Sequence, residues 1–340
     1  MLLTDRITSL PEFLARGNPT PLMDLRTIDE SATQRLNSPK IPLVRFPIEF
    51  LKARSFELPA RHVEFALLLH GSDLKQAEAF LLGSNDNTRK RAQKPWLVTA
   101  VLLDTPELWK EAKVLNICHE PTSKTITSEF PLPRLWQPDK MIQEVFLPLL
   151  RDSLTSHDEV WDLASGAGRD VAFLAEELVS SKTDFHKVFG FDHRYNKKET
   201  EIVSGFWDRR GVTDKTSAVK MDLSNFITLE EQILESSENH HHSKNVAALF
   251  AVRFWKVALI EALANSESLI TGTLFGISHF CKPFDGATWE FEHPSEKTVL
   301  KRKQLKDLFQ KDNKWEIIHD EITLDSDHGR SMIHFVARKR

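Results

Sequence analysis

The chain holds only two cysteines, Cys118 and Cys281, and no Cys-x-x-Cys pair. That excludes a cysteine zinc ribbon, argues against a disulfide scaffold and fits a reducing compartment. No apolar run approaches the ~20 residues that span a bilayer, so no membrane partner is expected. The opening MLLTDRITSLPEFLARG carries Asp5 and lacks a continuous apolar stretch, which argues against a signal peptide and for a cytoplasmic location. A basic excess is also missing. Lys and Arg number 45 against 49 Asp and Glu, a formal net charge of -4, which speaks against a dedicated nucleic-acid binder.

What is present is an ordinary globular composition, 41% hydrophobic and 28% charged, over 340 residues, a length that favours two domains. In the first part, short apolar runs at Thr20–Arg26, Ile41–Phe46, Phe65–Leu69 and Trp96–Leu103 read as strands. Leu74–Leu82 and Pro106–Ala112 carry helical spacing, so residues 1–117 predict a small, mostly parallel α/β domain. Residues 118–133 mix Pro, Ser, Thr and charge without period and read as a linker. From 134 to 340 the alternation resumes. Strands are expected at Glu159–Leu163, Val188–Asp192, Ser217–Met221, Val246–Val252, Leu269–Ile277, Trp315–Leu324 and Ser331–Ala337. Helices are expected at Met141–Leu150, Asp170–Leu178, Glu199–Asp208, Leu229–Leu234, Lys256–Ala264 and Arg302–Phe309. The polar stretch Glu235–Lys244, with His240, His241 and His242, reads as an exposed loop rather than a metal site, and no metal is expected.

The chemistry concentrates at Val160-Trp161-Asp162-Leu163-Ala164-Ser165-Gly166-Ala167-Gly168-Arg169-Asp170. An apolar strand ends in a glycine turn and opens straight into a helix. Gly166 and Gly168 allow backbone conformations closed to other residues, and the helix start presents N–H groups to a ligand. Val188-Phe189-Gly190-Phe191-Asp192 is a second strand ending in an acid, placed to accept ribose hydroxyls. Ala218-Val219-Lys220-Met221-Asp222-Leu223 ends a third strand in an acid suited to the exocyclic amine of adenine. Glycine turn, acid and acid on successive strands make a nucleoside-binding layout.

This run resembles the class I S-adenosylmethionine-dependent methyltransferases. Arg134-Leu135-Trp136-Gln137-Pro138 and the Gly168-Arg169-Asp170 step resemble the tellurite-resistance-type members, as do His293-Pro294, Val299-Leu300-Lys301 and the closing Phe335-Val336-Ala337-Arg338-Lys339. The resemblance implies an α/β fold with a Rossmann-like seven-stranded sheet. It also implies S-adenosyl-L-methionine as cofactor, held by Trp136, Asp162, Ala164, Gly166, Gly168, Arg169, Asp192, Asp222, Leu223 and Val252. Ala164 stands where the family usually has glycine, which is tolerable if the residue stays extended. The fourth strand lacks an opening acid and carries Trp255-Lys256 where relatives resemble histidine-arginine. Methyl transfer needs alignment and sometimes a base, for which His279 and Arg253 are the candidates. The implied partner is a small-molecule methyl acceptor, with an RNA or protein acceptor, or a non-catalytic scaffold, as alternatives. Nothing in the sequence sets an oligomeric state.

Leu22-Met23-Asp24-Leu25-Arg26-Thr27-Ile28-Asp29-Glu30 and Ile41-Pro42-Leu43-Val44-Arg45-Phe46-Pro47 resemble the rhodanese-like domains. The resemblance implies a smaller rhodanese-like α/β domain preceding the methyltransferase sheet. Where an active rhodanese has its cysteine, this chain has His70-Gly71-Ser72-Asp73, so sulfur transfer is not expected.

Overall fold

The computed structural model describes residues 2–16, 20–38, 41–83, 94–119, 133–224, 227, 229–231, 233, 245–325 and 329–340. The loop with His240–His242 and part of the helix expected at Leu229–Leu234 lie outside them. The chain divides into two units, Met1–Gln137 and Pro138–Arg340. Arg134–Gln137 thus fall in the first unit, whereas the sequence reading started the second domain at 134.

In the first unit, Ser9 and Glu12 form a reciprocal cap around α1 (Leu10–Leu14). Strand β1 (Leu22–Asp24) is followed by α2 (Ile28–Thr33), whose cap pairs Thr27 with Glu30. Next come β2 (Arg35–Leu36), β3 (Leu43–Arg45), β4 (Phe65–Leu69), α3 (Leu74–Glu78), β5 (Val98–Leu103), α4 (Pro106–Val114) and β6 (Cys118–His119). Cys118 and His119, read as linker, therefore form a strand, antiparallel to β2. The main sheet runs β3-β1-β4-β5, all parallel. Alternation along its strands feeds two cores. Met23, Leu25, Phe65, Leu67 and Val101 face one side, while Leu22, Ala66, Leu68 and Leu102 face the other against Leu10, Phe13, Leu108 and Trp109. Burial on both faces explains the continuous apolar run Phe65–Leu69.

In the second unit a π-helical turn, Ile142–Phe146, continues into α5 (Leu147–Ser153). Then follow β7 (Asp158–Leu163), α6 (Arg169–Ser180), β8 (Lys187–Asp192), α7 (Lys197–Arg209), β9 (Thr216–Lys220), β10 (Asn245–Val252), α8 (Val257–Asn265), β11 (Leu274–Phe280), α9 (Gln304–Gln310), β12 (Trp315–Leu324) and β13 (Ser331–Lys339). The sheet has seven strands in the order β12-β13-β11-β10-β7-β8-β9, and β13 alone runs antiparallel to the other six. This is the Rossmann-like seven-stranded α/β architecture. Strand β11 begins at Leu274, not at Leu269 as the apolar run suggested, because a turn with Gly272 at φ 92° intervenes. The chain leaves β7 towards β8 on one side and returns to β10 on the other. That reversal opens a crevice at the carboxyl ends of β7 and β10, where sheets of this kind take their ligands. Among the described residues, no helix is long and apolar enough to cross a membrane.

Candidate functional site

The glycine turn sits at this reversal. Gly166 (φ 60°) and Gly168 (φ 70°) are left-handed, and so is Ala164 (φ 67°). The extended conformation under which alanine would be tolerated at 164 is not the one adopted. The turn demands a positive φ there, and alanine carries a steric cost of about 1–2 kcal/mol that glycine would not. Gly168 is required for a second reason: a Cβ would lie 2.9 Å from the Trp207 indole of α7, whose Nε1 donates to the Gly168 carbonyl at 3.0 Å. Gly168 is the N-cap of α6 and offers no side-chain cap, so the first turn of that helix points uncapped N–H groups into the crevice. Arg169, the first helical residue, is exposed.

Asp192 ends β8 and its Oδ2 accepts the Gly166 N–H at 3.0 Å, tying the second strand to the turn. Beneath, the Ser165 hydroxyl meets the Tyr195 hydroxyl at 2.6 Å. Asp222, two residues beyond β9, is exposed and its Oδ1 accepts the Ser224 N–H at 2.9 Å, while Leu223 beside it is buried. Val252 closes β10, half-buried. Arg253 follows at φ 55°, exposed, with its guanidinium 5.7 Å from the centre of the Phe280 ring. The turn, both acids, Arg169, Val252 and Arg253 thus stand at the carboxyl ends of successive strands.

Of the remaining two candidates, one falls in the first unit and one on the far face of the sheet. Trp136 belongs to the first unit, buried, with the Arg134 guanidinium 5.6 Å from its ring centre. His279 lies on β11 next to Ser278, and neighbouring side chains on a strand point to opposite faces. Ser278 reaches Asp139 at 2.8 Å on the site's face, whereas the His279 Nε2 pairs with the Thr298 carbonyl at 2.8 Å on the other. His279 is only 4% exposed, and burial lowers its pKa below the ordinary histidine range.

Asp139 and Arg194 escape the sequence reading, which takes in Asp170 only as part of the Gly168-Arg169-Asp170 step. The Asp139 N–H donates to Asp170 Oδ1 at 3.0 Å, and its carboxylate accepts the Met141 N–H and the Ser278 hydroxyl. The Arg194 guanidinium folds back on Asp192. Burial works to raise Asp192, but Arg194 and the N–H groups of Arg194 and Gly166 hold it below the usual carboxylate range. Its neighbours go the other way. Burial raises Asp139, and burial with Asp139 alongside pushes Asp170 up to about 6. Asp162 is 2% exposed and has no hydrogen-bond or ion-pair partner among the described residues. Burial first, then Asp170, Asp192 and Asp139, raise it well above the usual range. Four carboxyl groups thus meet in this crevice, Asp192 held toward its ionised form and Asp139, Asp162 and Asp170 pushed toward their neutral forms.

Fold and site together define a Rossmann-like α/β unit with a glycine turn, an open helix start and a carboxylate floor at one sheet edge. The chain matches no protein-family model and no curated protein. Solved structures resemble it in fold. M. capricolum TrmK, in complex with S-adenosyl-homocysteine, shares 12% identity over 58% of this chain and 70% of its own, with a TM-score of 0.36. Magnesium protoporphyrin IX methyltransferase from Synechocystis, with bound SAM, shares 13% over 58% and 78%, at 0.37. Geranyl diphosphate C-methyltransferase from Streptomyces coelicolor, with Mg2+, geranyl diphosphate and S-adenosyl-L-homocysteine, shares 11% over 57% and 76%, at 0.40. Among the described residues, no group of three or more His, Cys, Asp or Glu could hold a metal ion.

Proposed function

We propose that the second unit binds S-adenosyl-L-methionine and transfers its methyl group to a small-molecule nucleophile. The observation that carries this reading is the partnerless, nearly buried Asp162 carboxylate below the left-handed Gly166 turn, within the fields of Asp139, Asp170 and Asp192. A nucleoside bearing an ammonium and a sulfonium supplies the positive charge this floor lacks. In this reading Asp192 takes ribose hydroxyls, Asp222 and Leu223 flank the adenine, the uncapped start of α6 lies against the amino-acid carboxylate, and Asp162 and Asp170 face the ammonium. When bound, the cofactor supplies an electrophilic methyl group. The protein's part is to align the acceptor at the carboxyl ends of β10 and β11, where Arg253, Trp255 and Phe280 stand, and to exclude water. His279 has no role in proton transfer here, because it faces the other side of the sheet. The first unit, whose sequence resembles rhodanese-like domains, carries His70 in place of the cysteine and does not transfer sulfur.

The test is release of S-adenosylhomocysteine from S-adenosylmethionine by the full chain, offered thiol, hydroxyl and selenide acceptors in turn. Product above the protein-free rate with one class supports the reading. Tight binding of both nucleosides without turnover on any class would overturn the catalytic part and leave a non-catalytic binder.

A further inference from the structure

The glycine turn of the second unit rests on a pair of hydroxyls. Ala164, Gly166 and Gly168 are all left-handed, and alanine reaches that conformation only at a steric cost. Ser165 ties the turn to its surroundings: its N–H donates to the Phe191 carbonyl at 3.0 Å, and its carbonyl accepts the Gly168 N–H at 2.9 Å. Its hydroxyl lies 2.6 Å from that of Tyr195, the chain's one tyrosine, which is 3% exposed. Tyr195 stands three residues past Asp192, and its N–H donates to the Asp192 carbonyl at 3.3 Å.

Strand β8 makes room for the pair. A Cβ on Gly190 would sit 2.7 Å from the Ser165 hydroxyl and 3.3 Å from that of Tyr195, so a side chain there would displace them. Gly190 is in register with Asp162 on β7 and Ala218 on β9, and register partners share a face of the sheet. The two hydroxyls therefore fill the space beside Asp162 that glycine leaves open. Burial first, then the fields of Asp162 and Asp192, raise the Tyr195 pKa against the Ser165 bond and Arg194, so the hydroxyl keeps its proton.

We propose that Tyr195 is a positioning residue. Its hydrogen bond to Ser165 holds the turn in the left-handed form that alanine at 164 resists, and so keeps the Gly166 N–H on Asp192 and the start of α6 open to a ligand. The consequence for binding rests on the nucleoside reading of the crevice; the hold on the turn does not.

Amide hydrogen exchange and titration with S-adenosylhomocysteine, both on the full chain, test the two parts separately. Tyr195→Phe and Ser165→Ala each speed exchange at Gly166 and Gly168 by about two- to tenfold, the equivalent of one hydrogen bond, and leave β10 and β11 as they were. The double variant is no worse than either single one, because the same bond is lost once. Gly190→Ala, which displaces both hydroxyls, reproduces the effect. Adding Ala164→Gly to Tyr195→Phe restores slow exchange, since the residue that resists the turn is gone. Affinity for S-adenosylhomocysteine falls and recovers by the same factors. Unchanged exchange at Gly166 in Tyr195→Phe, acceleration spread evenly over the second unit, or no rescue by Ala164→Gly would overturn the proposal. Exchange that follows the prediction in a chain that binds no nucleoside upholds the hold on the turn and overturns the nucleoside reading instead.

Discussion

The Arg194 guanidinium lies across the Asp192 carboxylate, its Nε 3.1 Å from Oδ1 and a terminal nitrogen 3.2 Å from Oδ2. That same nitrogen is 3.2 Å from where a Cβ on Gly166 would sit, so Arg194 covers the very acceptors assigned to the ribose. Binding must displace an ion pair whose arginine side chain is 59% exposed, and such pairs contribute about 0.2–1 kcal/mol. Arg194→Ala therefore tightens S-adenosylhomocysteine binding about two- to fivefold in a calorimetric titration. Asp192→Ala weakens it more than about tenfold, the loss of hydrogen bonds to a charged acceptor. Equal weakening by both would make Arg194 a ligand contact instead of a cover.

Proton linkage follows from the carboxylate floor. Burial and neighbouring acids raise Asp162 well above the usual range and Asp170 to about 6, so the free crevice carries protons near pH 6. A cation entering lowers both pKa values and expels protons. Affinity for S-adenosylmethionine rises between pH 5 and 7, more steeply than for the uncharged sulfur of S-adenosylhomocysteine. Titration in two buffers of different ionisation heat reads the released protons; uptake would contradict the assignment.

The turn itself is open to a stability test. Ala164→Gly removes the left-handed strain and raises the unfolding midpoint by about 2–4 °C, for a gain of about 1 kcal/mol. Gly168→Ala does the reverse, because its Cβ meets the Trp207 indole at 2.9 Å and φ is 70°. Differential scanning calorimetry separates the two signs.

In the first unit, hydrogen bonding to Glu30, with the fields of Glu30, Asp104 and Asp73, raises the His70 pKa against a smaller desolvation effect, and Glu30 is held at about 2. A histidine raised on folding stabilises fully below its unfolded pKa of about 6.5 and loses that contribution as pH climbs through its folded value. Denaturant unfolding should show the first unit losing stability as pH climbs above about 6.5. His70→Gln should flatten that slope, and an unchanged slope would remove His70 from the account.

The glycine turn and the strand-ending acids were legible because each is a local pattern, an apolar run followed by a residue type with a backbone or charge requirement. Asp139 was not, since its contacts with Asp170 and Ser278 join distant stretches. Nor was the direction of His279, since strand phase depends on where β11 begins, and the turn at Gly272 moves that start to Leu274. The place of Ala164 on the Ramachandran map is likewise set by the turn as a whole. Arg194 did leave a signal. Asp192-His193-Arg194 repeats the spacing of Asp24-Leu25-Arg26, and in both units the arginine chelates the acid two residues before it at a strand's carboxyl end.

The most direct test of the central claim is isothermal titration of the full chain with S-adenosyl-L-methionine at pH 7. The account predicts saturable binding at one site per chain, with Asp162→Asn weakening it by tenfold or more through the lost charge opposite the ammonium. Absence of binding at millimolar ligand, or binding unaffected by both Asp162→Asn and Asp192→Ala, would contradict it.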